Sequence, residues 1–160
     1  MLENKWTTMA GKTVEIISMV KEQLALQGER EVHVGSDSQQ AGQFTEFVTV
    51  IVILEKGKGG RAFYSKKKEP RVKSLRERLM KEVWMSVNTG LEMNAMIPET
   101  TGLTIHIDAN PNVKFRSSDH IKELISMVVG QGFKTLLKPE SWAAAHVADH
   151  VVKHRNLGGR

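Results

Sequence analysis

Two stretches of the chain, VHVGSDSQ (residues 32–39) and TIHIDANPN (residues 104–112), alternate apolar and polar positions and then arrive at an aspartate followed by turn formers. Asp37 and Asp108 are therefore carboxylates placed at the ends of strands. Taken singly, each is the kind of aspartate that starts a turn after a strand. Taken together at one edge of a sheet, they would repel each other unless a cation lay between them, and a hard divalent cation prefers such oxygen ligands. Histidines offer a rival chemistry. His106 shares the strand face of Asp108, and His146 and His150 stand four residues apart on a helical pattern, a spacing that can chelate zinc. The plainer account of these three is a histidine on a sheet face and two on a helix surface; His146 or His150 could also carry protons beside a metal centre.

The elements that must position these groups follow from periodicity. Val14, Ile17, Val20 and Leu24 recur at helical spacing and predict a helix over 8–27, stopped by Gly28. Strands are expected over 31–37, 44–55 and 61–66, with turns at 39–43 and at the glycines of KGKGG. Pro70 opens a predicted helix over 70–90, a strand follows over 103–108, and Ser117, Ser118 and Asp119 offer caps to a helix ending near Gly130. A short strand at 133–137 and a last helix from Pro139 to about His154 complete the order β-β-β-α-β-α-β-α. Short turns make the first three strands an antiparallel meander, and helical crossovers make the later strands parallel to the first. The expectation is an α/β chain with a mixed five-stranded sheet flanked by helices: one domain over 1–160, its core at 31–154 and a helical extension at 1–30. Asp37 and Asp108 then sit at the carboxyl ends of parallel strands, where open α/β sheets build their sites.

Composition narrows the class. At 160 residues, 40% hydrophobic and 26% charged, the chain reads as globular, with no apolar run near the ~18 residues of a membrane span and no signal-peptide pattern. It holds no cysteine, which excludes disulfides and thiolate metal sites and fits a cytoplasmic location. The net charge of +5 is unevenly spread: residues 56–81 carry eleven lysines and arginines against two glutamates, a local +9. Lys66, Lys67, Lys68, Arg71 and Lys73 lie at its centre, as a phosphate-binding face or as a solvated surface.

With GSDSQ, HIDANPN and the terminal PESWAAAHVADHVVKH in this element order, the chain resembles the ribonuclease H-like superfamily. More narrowly it is similar to the YkuK-type ribonuclease H-like family of bacterial and phage proteins. The resemblance implies two divalent cations, Mg²⁺ or Mn²⁺, held by acids on the first strand, the first helix after the meander, the fourth strand and the last helix. These fall on Asp37, Glu82 or Glu77, Asp108 and Asp149. It also implies a nuclease acting on RNA, DNA or a hybrid. His150, from the histidine pair already noted, is a candidate participant beside those acids. Helical geometry separates the two glutamates: Leu75, Leu79, Glu82 and Ser86 share one stripe, whereas Glu77 points away and can pair with Lys81. Trp142, His146, Asp149 and Lys153 form a stripe of their own on the last helix. Competing expectations are a non-catalytic nucleic-acid-binding module, an enzyme acting on another phosphate ester, and a protein scaffold docking through its N-terminal helix.

Overall fold

The computed structural model describes residues 1–158, with side chains as far as Lys153, so residues 159–160 of the expected domain lie outside the described residues. The elements run β1 (Trp6–Thr8), β2 (Thr13–Val14), α1 (Ile16–Ala25), β3 (Arg30–Ala41), β4 (Phe44–Glu55), β5 (Gly59–Pro70), α2 (Leu75–Asn94) and β6 (Gly102–His106). A 3₁₀ turn (Arg116–His120) leads into α3 (Ile121–Val129), followed by β7 (Lys134–Leu136), a π-helical segment (Ala143–Ala148) and α4 (Asp149–Gly158). The α/β fold is built on a seven-stranded mixed sheet in the order β2-β1-β5-β4-β3-β6-β7. The meander β3-β4-β5 is antiparallel, and β6 and β7 run parallel to β3.

β4 is buried from Thr45 to Ile53, as a central strand covered on both faces must be. One face sends Val32, Val34, Ile51, Ile53 and Ile105 against Val20 of α1, Leu79, Val83 and Val87 of α2, and Leu124 and Val128 of α3. The other sends Val48, Val50 and Val52 against Ala143, Ala148, Val151 and Val152 of the last helical segment. The alternation along β3 thus divides Val32, Val34, Ser36 and Ser38 from His33, Gly35 and Asp37. Among the described residues no helix is long and apolar enough to cross a membrane.

The five expected strands are present in the expected order, but the N-terminal extension is not the helix 8–27. It is a β1–β2 hairpin followed by a shorter helix. Thr7, Thr8, Thr13 and Val14 are β-branched, Gly11 adopts φ +92° in the turn, and Trp6 is fully buried, so the segment prolongs the sheet beyond β5. The Glu15 carboxylate then caps α1, accepting from the Ile17 and Ser18 amides at 3.3 and 2.8 Å.

Pro70 likewise closes β5 instead of opening a helix. The Arg71 amide still donates to the Gln43 carbonyl at 3.0 Å, and α2 starts only after Ser74, whose hydroxyl accepts from the Glu77 amide at 3.2 Å. β5 consequently runs straight through the lysine cluster. The last helical segment begins at Ala143 in π geometry, with Pro139 and Glu140 in the turn before it.

Candidate metal centre

β6 pairs with β3 only as far as Gly35↔His106. Beyond that point the Ile107 amide donates to the Leu136 carbonyl at 2.8 Å, and the Lys138 amide donates to Ala109 at 3.1 Å. Residues 107–109 therefore follow the β7 side of the sheet and diverge from β3, which continues to Ala41. A fork opens between the two strands, with Asp37 on one prong and Asp108 on the other. Glu82 reaches this fork from α2, and carboxylate oxygens of Asp37, Glu82 and Asp108 lie within 4.8 Å of one another. Asp149 arrives from the opposite helical layer, and its carboxyl shares a hydrogen bond with that of Asp37.

The environment opposes charge on these acids. Asp37 is 8% exposed; burial, then repulsion from Glu82 and Asp108, pushes its carboxyl up to about 9. Glu82 is 5% exposed and is pushed up to about 8, chiefly by burial, although the Ser38 hydroxyl donates to its Oε2 at 2.5 Å. Arg78 in turn donates to the Ser38 hydroxyl (3.2 Å) and carbonyl (3.1 Å), so Ser38 links the guanidinium to the acid. Lys138 Nζ stands 2.8 Å from Asp108 Oδ1. Burial acts to lower the Lys138 ammonium, but the contact with Asp108 outweighs it and the net shift is upward. For Asp149, burial works upward, but hydrogen bonds to Lys153 and Asp37 leave its carboxyl below the usual range.

Of the expected site residues, the fold thus brings Asp37, Glu82, Asp108 and Asp149 to one place. Glu77 is exposed and away from them, and its expected partner Lys81 pairs instead with Glu69 at 3.0 Å. His146 and His150 are exposed on the last helix and lie outside the acid cluster. His106 is buried, its Nε2 2.8 Å from Nδ1 of His33, and burial together with His33 pushes it down to about 3. The basic block is not one patch, because a strand turns alternate residues to opposite faces. Asp37, Val48 and Lys66 form one cross-strand row and Gln39, Glu46 and Lys68 the next, so Lys66 and Lys68 share the face of Asp37. Lys67 points the other way, 3.7 Å from Glu69, while Arg71 donates to the Gly42 carbonyl, Lys73 is exposed and Lys56 and Lys58 belong to the far β4–β5 hairpin.

A family model described as Ribonuclease H-like matches residues 12–153, nearly the whole of this fold and all four acids. The chain belongs to the ribonuclease H-like family. Among its relatives, this ribonuclease H-like chain is 25% identical over 133 residues to the uncharacterized protein YkuK of Bacillus subtilis (strain 168), covering 75% of the chain and 77% of YkuK. Similar solved structures include the RNase H1 of Halobacterium salinarum NRC-1, with 13% identity, 80% and 98% coverage and a TM-score of 0.43. The N-terminal RNase H domain of a Mycobacterium tuberculosis protein is another, with 10% identity, 81% and 99% coverage and a TM-score of 0.40. Sequence reading passed over Lys138, Ser38 and Arg78 at this ribonuclease H-like centre. The position of Lys138 just past β7, at the same sheet edge as Asp108, was the available signal.

Proposed function

We propose that this protein is a divalent-metal-dependent nuclease that hydrolyses phosphodiester bonds in nucleic acid. What supports the reading most is the convergence of three carboxylates from separate elements to within 4.8 Å, two of them buried and unfavourably charged when alone. The donors are all carboxylate oxygens, which fits Mg²⁺ or Mn²⁺, and two ions are expected across Asp37, Glu82, Asp108 and Asp149. Bound divalent ions supply a water that is nucleophilic at neutral pH and offset charge on the scissile phosphate. Asp37 and Asp108, on the two prongs of the fork, would hold the ions together with Glu82 and Asp149 from the two helical layers. Ser38 and Arg78 hold Glu82 in place. Lys138 supplies positive charge beside Asp108 and is placed to meet a phosphate oxygen there. His150, exposed and next to Asp149 in the chain, would carry a proton towards the leaving oxygen.

Lys66 and Lys68 extend the face of Asp37, and with Arg71 and Lys73 they would hold the phosphate backbone. Each such contact releases counterions, so log K falls with log salt by about 0.9 per contact on B-form duplex. Replacing Lys66 and Lys68 together with Gln should flatten the slope by nearly 2, whereas Lys67→Gln, already held by Glu69, should leave it nearly unchanged. Equal slopes for the two variants would mean that the strand face is not the track.

A non-catalytic nucleic-acid-binding module is the second reading, favoured by the Lys138–Asp108 ion pair, which partly replaces a metal's charge. An activity panel with Mn²⁺ and Mg²⁺ over labelled single-stranded, duplex and hybrid substrates separates the two. The nuclease reading expects cleavage of at least one substrate with either ion, lost in EDTA and in Asp108→Asn. Binding without cleavage throughout would favour the module.

A further inference from the structure

The site accounts for the acids but not for the two histidines buried beside them. His33 and His106 belong to neighbouring strands on the face of Asp37, and Trp142 packs against both, with ring centroids 4.8 Å away. Their ring nitrogens form a hydrogen-bonded chain from the Ala143 amide to Glu31. The Ala143 amide can only donate, so His106 Nδ1 accepts it, at 3.1 Å. His106 Nε2 then carries the hydrogen and donates to His33 Nδ1 at 2.8 Å, and His33 Nε2 donates to the Glu31 carboxylate at 3.0 Å. Both ring nitrogens of His106 thus have a partner, and the residue is 1% exposed.

What the chain holds is the start of the last helical segment. Ala143 is its first residue, and an amide there has no partner within the helix. His106 provides that partner from the sheet. Its register partner Gly35 provides the room: a Cβ at Gly35 would meet the Ala144 nitrogen at 2.6 Å and the Ala143 carbonyl carbon at 2.9 Å. One member of a cross-strand pair therefore lets the helix approach and the other fixes its first amide. The segment so seated is π-helical through Ala148, a geometry rare enough to need support from its surroundings. Asp149 follows immediately, its carboxyl on Asp37.

We infer that the Gly35–His106 pair is the seat that sets where Asp149 meets the metal centre, and that His106 is a positioning residue for it. This rests on the proposed role of Asp149. The seat fixes one end of a six-residue helical segment and Asp149 directly follows the other, so a displacement at Ala143 is carried along the helix to the carboxylate. Substitution of groups that orient metal ligands costs about 10- to 100-fold in metal affinity or activity, and His106 belongs in that range.

Asparagine places an acceptor where Nδ1 stood and glutamine places a donor where Nε2 stood, which separates the two bonds of His106. His106→Gln should weaken Mn²⁺ binding about 10- to 100-fold, expose the Ala143 amide to hydrogen exchange and shift the side-chain ¹³C resonance of Asp149. His106→Asn should keep all three near wild type. In an Asp149→Asn background, His106→Gln should cost nothing further in Mn²⁺ affinity. The inference is overturned if the loss is as large in that background, if His106→Asn is as damaging as His106→Gln in folded protein, or if the wild-type Ala143 amide exchanges freely. The exchange and ¹³C readouts need no metal and no substrate. A wild-type protein that cleaves nothing while these readouts behave as expected defeats the nuclease reading alone.

Discussion

Without divalent cations the protein will lose stability as pH rises from about 5 to about 9, and Mn²⁺ will restore more of it the higher the pH. Asp37 and Glu82 sit well above their ordinary values of 3.8 and 4.5, at about 9 and about 8, because burial and neighbouring acids disfavour their charged forms. The folded protein then holds protons that the unfolded chain has released. Stability supplied in this way is complete below the unfolded values and disappears as pH passes through the folded ones. Asp149 and His106, held below their usual ranges, act in the opposite sense. The contribution of Asp149 is already complete at the bottom of this window, and that of His106 is complete once pH passes its ordinary value of 6.5. The two acids outweigh it, and the fall is steepest above that point. A divalent cation removes the penalty by making charged carboxylates favourable. Saturation at ~1,000 times Kd contributes about 4 kcal/mol, which for a chain of this size raises Tm by roughly 10 °C. The gain is expected near that figure at pH 8 and should shrink to a few degrees at pH 5, measured by thermal unfolding in EDTA and in Mn²⁺. Asp37→Asn should raise Tm in EDTA at pH 8 and remove most of the Mn²⁺ gain. A gain that does not change with pH would mean that the acids carry charge comfortably on their own.

Much of this centre is legible from residue order because its parts obey simple periods. Alternation singles out Asp37 and Asp108, although Asp37 does not end its strand as expected. β3 runs on through the predicted turn to Ala41 because it stays paired with β4, while Asp108 lies two residues past β6. The 100° step of a helix puts Glu82 on the stripe of Leu79 and Ser86, all three buried in the fold. The fork between β3 and β6 is not legible in that way. The alternation of TIHID continues through Asp108, but the pairing with β3 stops at His106 while that with the β7 side runs on, and only the three-dimensional pairing reveals it.

The N-terminal hairpin has strands of three and two residues, too short to leave a period, so the helical pattern of Val14 to Leu24 captured the whole segment. The lysines at 66–68 are contiguous in sequence but do not form one block, because a strand sends neighbours to opposite faces. His33 was readable in principle: it precedes Asp37 by four residues on the same strand face, as His106 precedes Asp108 by two. Adjacent parallel strands were bound to bring the two histidines together.

Glu82 carries the other large expectation. Glu82→Gln should reduce metal-dependent cleavage by about 100-fold or more, the upper end of what even outer-shell partners of a metal cost, and should weaken Mn²⁺ binding in parallel. Glutamine keeps the shape and still offers an oxygen to the Ser38 hydroxyl, so the loss isolates the charge. Glu77→Gln should leave cleavage within about twofold and stability within about 0.5 kcal/mol, as for an ordinary surface position. Its carboxylate is exposed in the first turn of α2, where it makes only a modest favourable interaction with the helix dipole. A rim salt bridge is the competing account of Glu82, and stability in EDTA distinguishes the two. If Glu82 served mainly to balance Arg78, its neutralisation would leave the guanidinium uncompensated and lower Tm at pH 8. Arg78, however, directs its hydrogen bonds to Ser38, and the environment already holds Glu82 towards its neutral form. Neutralisation should therefore leave Tm unchanged or raise it without metal, while abolishing much of the Mn²⁺ gain. A fall in Tm in EDTA, with Mn²⁺ affinity retained, would remove Glu82 from the metal centre.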